Sequence, residues 1–146
     1  MHVPKKYIKM TDLGAKPQYD AAMMEEGLYE SLILNNYQFR RNSLLKILLV
    51  KVNLGCKEAE LHYNTGQRYE FVIKDRMNTE KWKWSVGKEF VPIDESLALE
   101  VGKSKVYSAL WRIPKDSEPG IYMLEGWNTA EQLKDKKLKV RFNVIP

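Results

Sequence analysis

Histidine, cysteine and serine are the side chains that could carry nucleophilic or metal chemistry in this 146-residue chain, and the first two are scarce. The histidines are His2 and His62, and Cys56 is the single cysteine. A Ser-His-Asp relay would have to pair His62 with one of seven serines. None of them sits in a G-x-S-x-G elbow, the turn that exposes such a nucleophile. His62 falls on the polar side of an alternating stretch and reads as a surface residue. Cys56 follows Gly55 at the end of an apolar run and reads as a packing or turn residue. Two histidines and one cysteine do not complete a zinc tetrahedron, and no Asp-x-Asp-x-Asp-Gly loop offers oxygen ligands to calcium. Gly55, Gly66, Gly87, Gly102, Gly120 and Gly126 are dispersed singly, as turn punctuation, and build no phosphate cradle. The inventory predicts no catalysis, no metal and no cofactor.

The remaining chemistry is aromatic and cationic. Lys81-Trp82-Lys83-Trp84 interleaves cations with rings that could stack on bases or sugars. Trp82 and Trp84, however, share one face of a strand, and Trp111 ends another strand with Tyr107 and Ala109 on its face. Rings at period-two positions are the expected filling of a sandwich core. Of the net charge of +5, about +3 falls in the last sixteen residues, where Lys134, Lys136, Lys137, Lys139 and Arg141 outweigh Glu131 and Asp135. Lys137, Lys139 and Arg141 alternate with apolar residues, as on the solvent face of a final strand, where lysines also guard a sheet edge. Net charge alone is too nonspecific to imply a nucleic-acid partner. The longest aliphatic run, Ile47–Val50, is far too short to cross a bilayer, so no membrane partner is expected. The charged start leads into no apolar segment with a cleavage site, and one cysteine allows no internal disulfide. A cytoplasmic protein is expected.

Residues 1–26 show no sustained period and are expected to form an N-terminal arm or strap, with a short helical turn over Ala21–Glu26 ending at Gly27. From Gly27 to the end, residues 27–146 read as one domain of strands and turns. Leu28–Leu34 is a first strand. Leu44–Leu54 is the most apolar, with Leu48, Val50, Val52 and Leu54 on one face and Lys51 and Asn53 on the other. Ala59, Leu61 and Tyr63 alternate with Glu60 and His62. Tyr69, Phe71 and Ile73 alternate with Glu70, Val72 and Lys74 ahead of a polar break, Asp75–Asn78, in which Asn78 accepts the positive φ that a hairpin tip demands. Leu97–Leu99, a turn at Val101–Lys103, Val106–Trp111, Ile121–Trp127 and Lys137–Ile145 follow. Some eight or nine short strands, punctuated about every ten residues, predict an all-β antiparallel sandwich and no βαβ units. Tyr122, just after Glu118-Pro119-Gly120-Ile121, sits where an immunoglobulin-like fold places a corner tyrosine, or is an ordinary half-buried strand residue.

Several of these elements, in order, resemble the BsuPI-type intracellular proteinase inhibitors over about residues 28–127. They are Tyr69-x-Phe71-x-x-x-Asp75, Trp82-x-Trp84-Ser85-x-Gly87-Lys88-x-Phe90, Tyr107-x-Ala109-x-Trp111, and Glu118-Pro119-Gly120-x-Tyr122 leading to Glu125-Gly126. Asn78 stands where a glycine is usual, and Val101-Gly102-Lys103 replaces the family's Pro-Gly-Glu turn. The resemblance implies an immunoglobulin-like sandwich of about eight strands and a non-enzymatic inhibitor of an intracellular subtilisin-type serine protease. The matched Tyr69, Phe71, Trp82, Trp84, Gly87, Trp111, Pro119, Gly120 and Tyr122 look like scaffold, and fold alone does not give function. Inhibition would need an exposed, preorganised loop that enters the protease cleft. Two loops qualify. One offers Arg76, Met77 and Asn78 on a hairpin tip, the other Ile113, Pro114 and Lys115 on a proline-stiffened segment. A noncatalytic module that docks a protein or a glycan, through a sheet edge or the Trp82–Trp84 face, is the alternative. The oligomeric state is left open.

Overall fold

The structure, a computed structural model, describes residues 18–23 and 27–146. Its strands are β1 (Gln18–Met23), β2 (Leu28–Leu34), β3 (Gln38–Arg40), β4 (Leu44–Asn53), β5 (Ala59–Thr65), β6 (Tyr69–Asp75), β7 (Glu80–Lys83), β8 (Pro92–Leu99), β9 (Ser104–Arg112), β10 (Gly120–Asn128) and β11 (Leu138–Ile145). One sheet runs β1-β2-β4-β9 and a second runs β3-β11-β10-β6-β7, with β3 parallel to β11. β5 and β8 pair as a separate ribbon. The β2-β4-β9 and β6-β10-β11 sets correspond to the A-B-E and C-F-G strands of an immunoglobulin-like sandwich. The all-β expectation holds.

Period-two patterning builds the interior. Every second residue of β2 and the alternate Leu138, Val140, Phe142 and Val144 of β11 are buried. Leu32, Leu45, Ile47 and Leu49 of the first sheet meet Phe71, Ile73, Leu124 and Phe142 of the second in one core. At Gly126 the layers pack too closely for a side chain. A Cβ there would lie 2.7 Å from Leu32 Cδ1 and 3.1 Å from Phe71 Cδ1. Tyr122 is the corner tyrosine, since its hydroxyl donates to the Glu118 carbonyl at 2.7 Å. The Tyr122 ring also stacks on Phe142, 5.7 Å between centroids.

Four expectations need correction. In β4 the buried face is Leu45, Ile47, Leu49, Lys51 and Asn53, while Leu48, Val50 and Val52 turn outward and Leu54 is exposed. Both faces of β4 are apolar, so period alone did not choose between them. The inner polar groups are tolerated because they find partners: Asn53 Nδ2 donates to the Lys57 and Leu99 carbonyls, both at 2.9 Å. Ala21–Met23 is extended, not helical, because β1 pairs with Tyr29–Leu34 of β2; residues 24–26 of the expected turn lie outside the described residues. β11 carries Lys139 and Arg141 outward as expected, but it is not a free edge throughout, since β3 pairs with Asn143–Ile145. Finally, Leu97–Leu99 is only the end of the longer β8, whose exposed residues on both faces left no alternation to read.

Candidate functional site

The Asp75–Thr79 hairpin tip joins β6 to β7, and local hydrogen bonds fix its shape. Asp75 Oδ1 accepts from the backbone N–H groups of Met77 and Thr79, both at 2.9 Å. The Asp75 N–H donates to the Thr79 carbonyl, and the Asn78 N–H donates back to the Asp75 carbonyl. Asn78 has φ 64°, the left-handed conformation that its short side chain tolerates. The Thr79 and then the Met77 amide bonds hold the Asp75 carboxyl below its ordinary range, outweighing its slight desolvation. Lys81 Nζ stands 3.7 Å from the other Asp75 oxygen. Met77, at the summit, is 78% exposed. A large apolar side chain is thus held in solvent on an ordered turn.

The base of this hairpin is anchored by the aromatic scaffold. Trp82 stacks on buried Trp111 at 5.9 Å, and Trp84 lies 4.3 Å from Tyr69, which stacks in turn on Tyr107 at 4.8 Å. Trp82 and Trp84 are half-buried and pack on the core as expected, but they do not share a strand face: β7 ends at Lys83, and Trp84 opens the turn that follows. Lys88 caps the outer face of Trp84, 4.6 Å from the ring. Glu70, placed on the polar face by its alternation, is buried instead. It accepts from Gln67 Nε2 and from the Phe71 and Ser85 backbone, and so ties the Trp84–Gly87 turn to β6. Gly87 has φ 82°.

The second candidate loop, 113–119, lies beside the first. A hollow of about 360 Å³ between them is lined by Arg76, Met77, Glu118 and Pro119, and a second, of about 190 Å³, by Lys81, Pro114 and Ser117. Pro114 and Lys115 are exposed. Ile113 is not: it is fully buried in the main core, its N–H donating to Ser43 and its carbonyl accepting from Asn42. As a group to enter a protease pocket, Ile113 is therefore corrected to core. The inward alternation of Ala109 and Trp111 runs one step beyond the strand end, and that was the signal to follow.

Polar clusters lie elsewhere. His62 Nδ1 is 3.1 Å from Ser96 Oγ, and Nε2 is 2.6 Å from Asp94 Oδ1. These are the residue types of a hydrolase relay, which spacing in the sequence did not reveal. They stand on the open surface of the β5–β8 ribbon, with the Asp94 side chain 82% exposed, and tie the two strands together. Cys56 is exposed in the bend after β4, a turn residue. His2 lies outside the described residues. Among the described residues, no group of three metal-ligating side chains assembles, and no helix is long and apolar enough to cross a membrane. Glu30 and Lys51, cross-strand partners, are both buried, a pairing the sequence reading missed. Burial pushes the Glu30 carboxyl up to about 7, against the pull of Lys51, and pushes Lys51 down to about 8.

Comparison with known proteins gives a family match. The model described as BsuPI, intracellular proteinase inhibitor, matches residues 32–133. No curated protein sequence matches the chain. Among solved structures, the chain is similar to Spo0M, a sporulation control protein from Bacillus subtilis, at 9% identity and a TM-score of 0.48, covering 89% of this chain and 49% of that one. It is also similar to the β-glucosidase EmGH1 from Erythrobacter marinus, at 13% identity and a TM-score of 0.44, covering 88% and 16%. The DNA glycosylase AlkC from Pseudomonas fluorescens aligns at 9% identity and a TM-score of 0.46, covering 94% and 32%. The chain therefore spans from about a sixth to about half of these proteins.

Proposed function

We propose that this chain, which belongs to the BsuPI family of intracellular proteinase inhibitors, inhibits a subtilisin-type serine protease by seating the 75–79 hairpin in the protease cleft. The observation that carries this reading is Met77, 78% exposed at the summit of a turn already ordered by the Asp75 carboxylate. An inhibitory loop gains affinity when its bound shape is fixed beforehand, because little conformational entropy is lost on docking. An apolar side chain on such a loop suits the hydrophobic primary pocket expected of a subtilisin-type cleft. The outer edge of β7, the last strand of the five-stranded sheet, can add backbone hydrogen bonds to the protease, as a substrate strand would. Pro114 and Lys115 on the neighbouring loop would rest on the rim of the cleft.

This reading has a direct test. Met77→Asp places a charge where the pocket is apolar, and inhibition should weaken more than about tenfold, equivalent to about 1.4 kcal/mol. Because Met77 touches no core group in its exposed position, the melting temperature should stay within about 2 °C. An unchanged inhibition constant would remove this hairpin as the contact.

A further inference from the structure

Next to the hairpin, on the outer face of the five-stranded sheet, lies a groove of about 450 Å³ spanning β11, β10 and β6. Its charged walls are Lys74, Arg76, Lys139 and Arg141 against Asp75 and Glu125, and its apolar floor includes Ile121 and Met123. The two acids are already engaged. Asp75 holds the turn amides, and Glu125, nearly buried, holds Lys74 at 2.8 Å with Lys139 Nζ at 4.0 Å. The two guanidiniums are not engaged: among the described residues, the side chains of Arg76 and Arg141 make no hydrogen bond or ion pair, and both residues are exposed. Arg76 belongs to both the hairpin tip and the groove.

We propose that this groove receives an acidic segment of the protease held by the hairpin, its carboxylates pairing with Arg76 and Arg141. The proposal rests on the hairpin reading, since a protease seated on Met77 would overlie Arg76. A guanidinium fork matches a carboxylate bidentately, and paired charges beside a contact mainly speed association. The apolar floor favours an acidic peptide over a phosphate backbone, because Ile121 and Met123 offer surface to a side chain and nothing to a phosphate. A ring of cations around one hollow also differs from the extended stripe that tracks a nucleic acid.

The test compares Lys139→Glu/Arg141→Glu with Met77→Asp against a purified intracellular subtilisin-type protease. Charge reversal should slow association about tenfold at about 50 mM salt and much less at about 500 mM, where screening is strong. Met77→Asp should instead weaken inhibition at both salt concentrations. An association rate untouched by charge reversal, with Met77→Asp impaired, overturns the groove and leaves the hairpin standing. Inhibition untouched by Met77→Asp overturns the hairpin reading, and the groove proposal with it. Independently, a deca-glutamate peptide should shift the backbone amide resonances of Arg76 and Met123 in the unsubstituted protein, and not in the reversed variant. Absence of those shifts overturns the proposal, as does tighter binding of a DNA duplex of about a dozen base pairs.

Discussion

Met77 and Ile113 were equivalent candidates in the sequence, each a large apolar residue in a connecting segment. In the fold, one is 78% exposed and the other fully buried. The difference is one of phase, because Ile113 continues the inward alternation of β9 while Met77 sits on a tip that no layer faces. Residue chemistry also appears where the sequence showed only patterning. Glu30 lies across from Lys51, and neither of its carboxyl oxygens has a hydrogen-bond partner among the described residues. With its folded-state carboxyl raised from 4.5 to about 7, the protonated form suits the fold. Its contribution to stability is complete below the ordinary value and is lost as pH rises through about 7. Between about pH 5 and pH 7, unfolding by urea should therefore become easier, by an amount bounded at about 3 kcal/mol. Glu30→Gln should flatten or reverse that slope. Parallel pH profiles for the two proteins would show that Glu30 is ionised without cost.

At the scale of elements, the aromatic hairpin was the most legible part of the chain. Its strands, its break and the positive φ of Asn78 all followed from period-two rings around Asp75–Asn78. The corner tyrosine followed equally well from Pro119-Gly120 ahead of Tyr122. What the sequence withheld was whatever a third layer or a partner strand decides. The face of β4 depended on which of two apolar sides met Phe71 and Phe142. The strand nature of Ala21–Met23 depended on β2 lying beside it. The proximity of the two candidate loops depended on topology alone. For the hairpin, Asp75 is the decisive element-level group, since one carboxylate satisfies two tip amides. Asp75→Ala should leave the sandwich folded yet free the tip, weakening inhibition about five- to tenfold, as expected for the loss of two charge-assisted hydrogen bonds offset by water. Amide exchange at Met77 and Thr79 should quicken in parallel. Protection unchanged from the unsubstituted protein would mean that the strands, not Asp75, order the tip.

At the scale of the whole molecule, three surfaces of the described residues contrast with one another. One end of the sandwich presents Met77, Arg76, Pro114 and Lys115 together. The outer side of the five-stranded sheet is cationic around Lys139 and Arg141. The outer side of the four-stranded sheet is apolar, with Val106 and Leu110 exposed beside the half-buried Leu48 and Val50. That apolar side explains why β4 was ambiguous in sequence, since it satisfies the alternation as well as the true core does. Of the three, the loop-bearing end alone joins an ordered turn to a prominent apolar tip, and family membership makes a protease its expected partner. The measurement that bears most directly on this is a titration of a purified intracellular subtilisin-type protease with the intact protein. Activity should fall linearly to near zero at about one equivalent, with the inhibitor recovered uncleaved or cleaved only within 75–79, as a preorganised loop in the cleft requires. Full residual activity at molar excess, with the chain degraded as ordinary substrate, would contradict it.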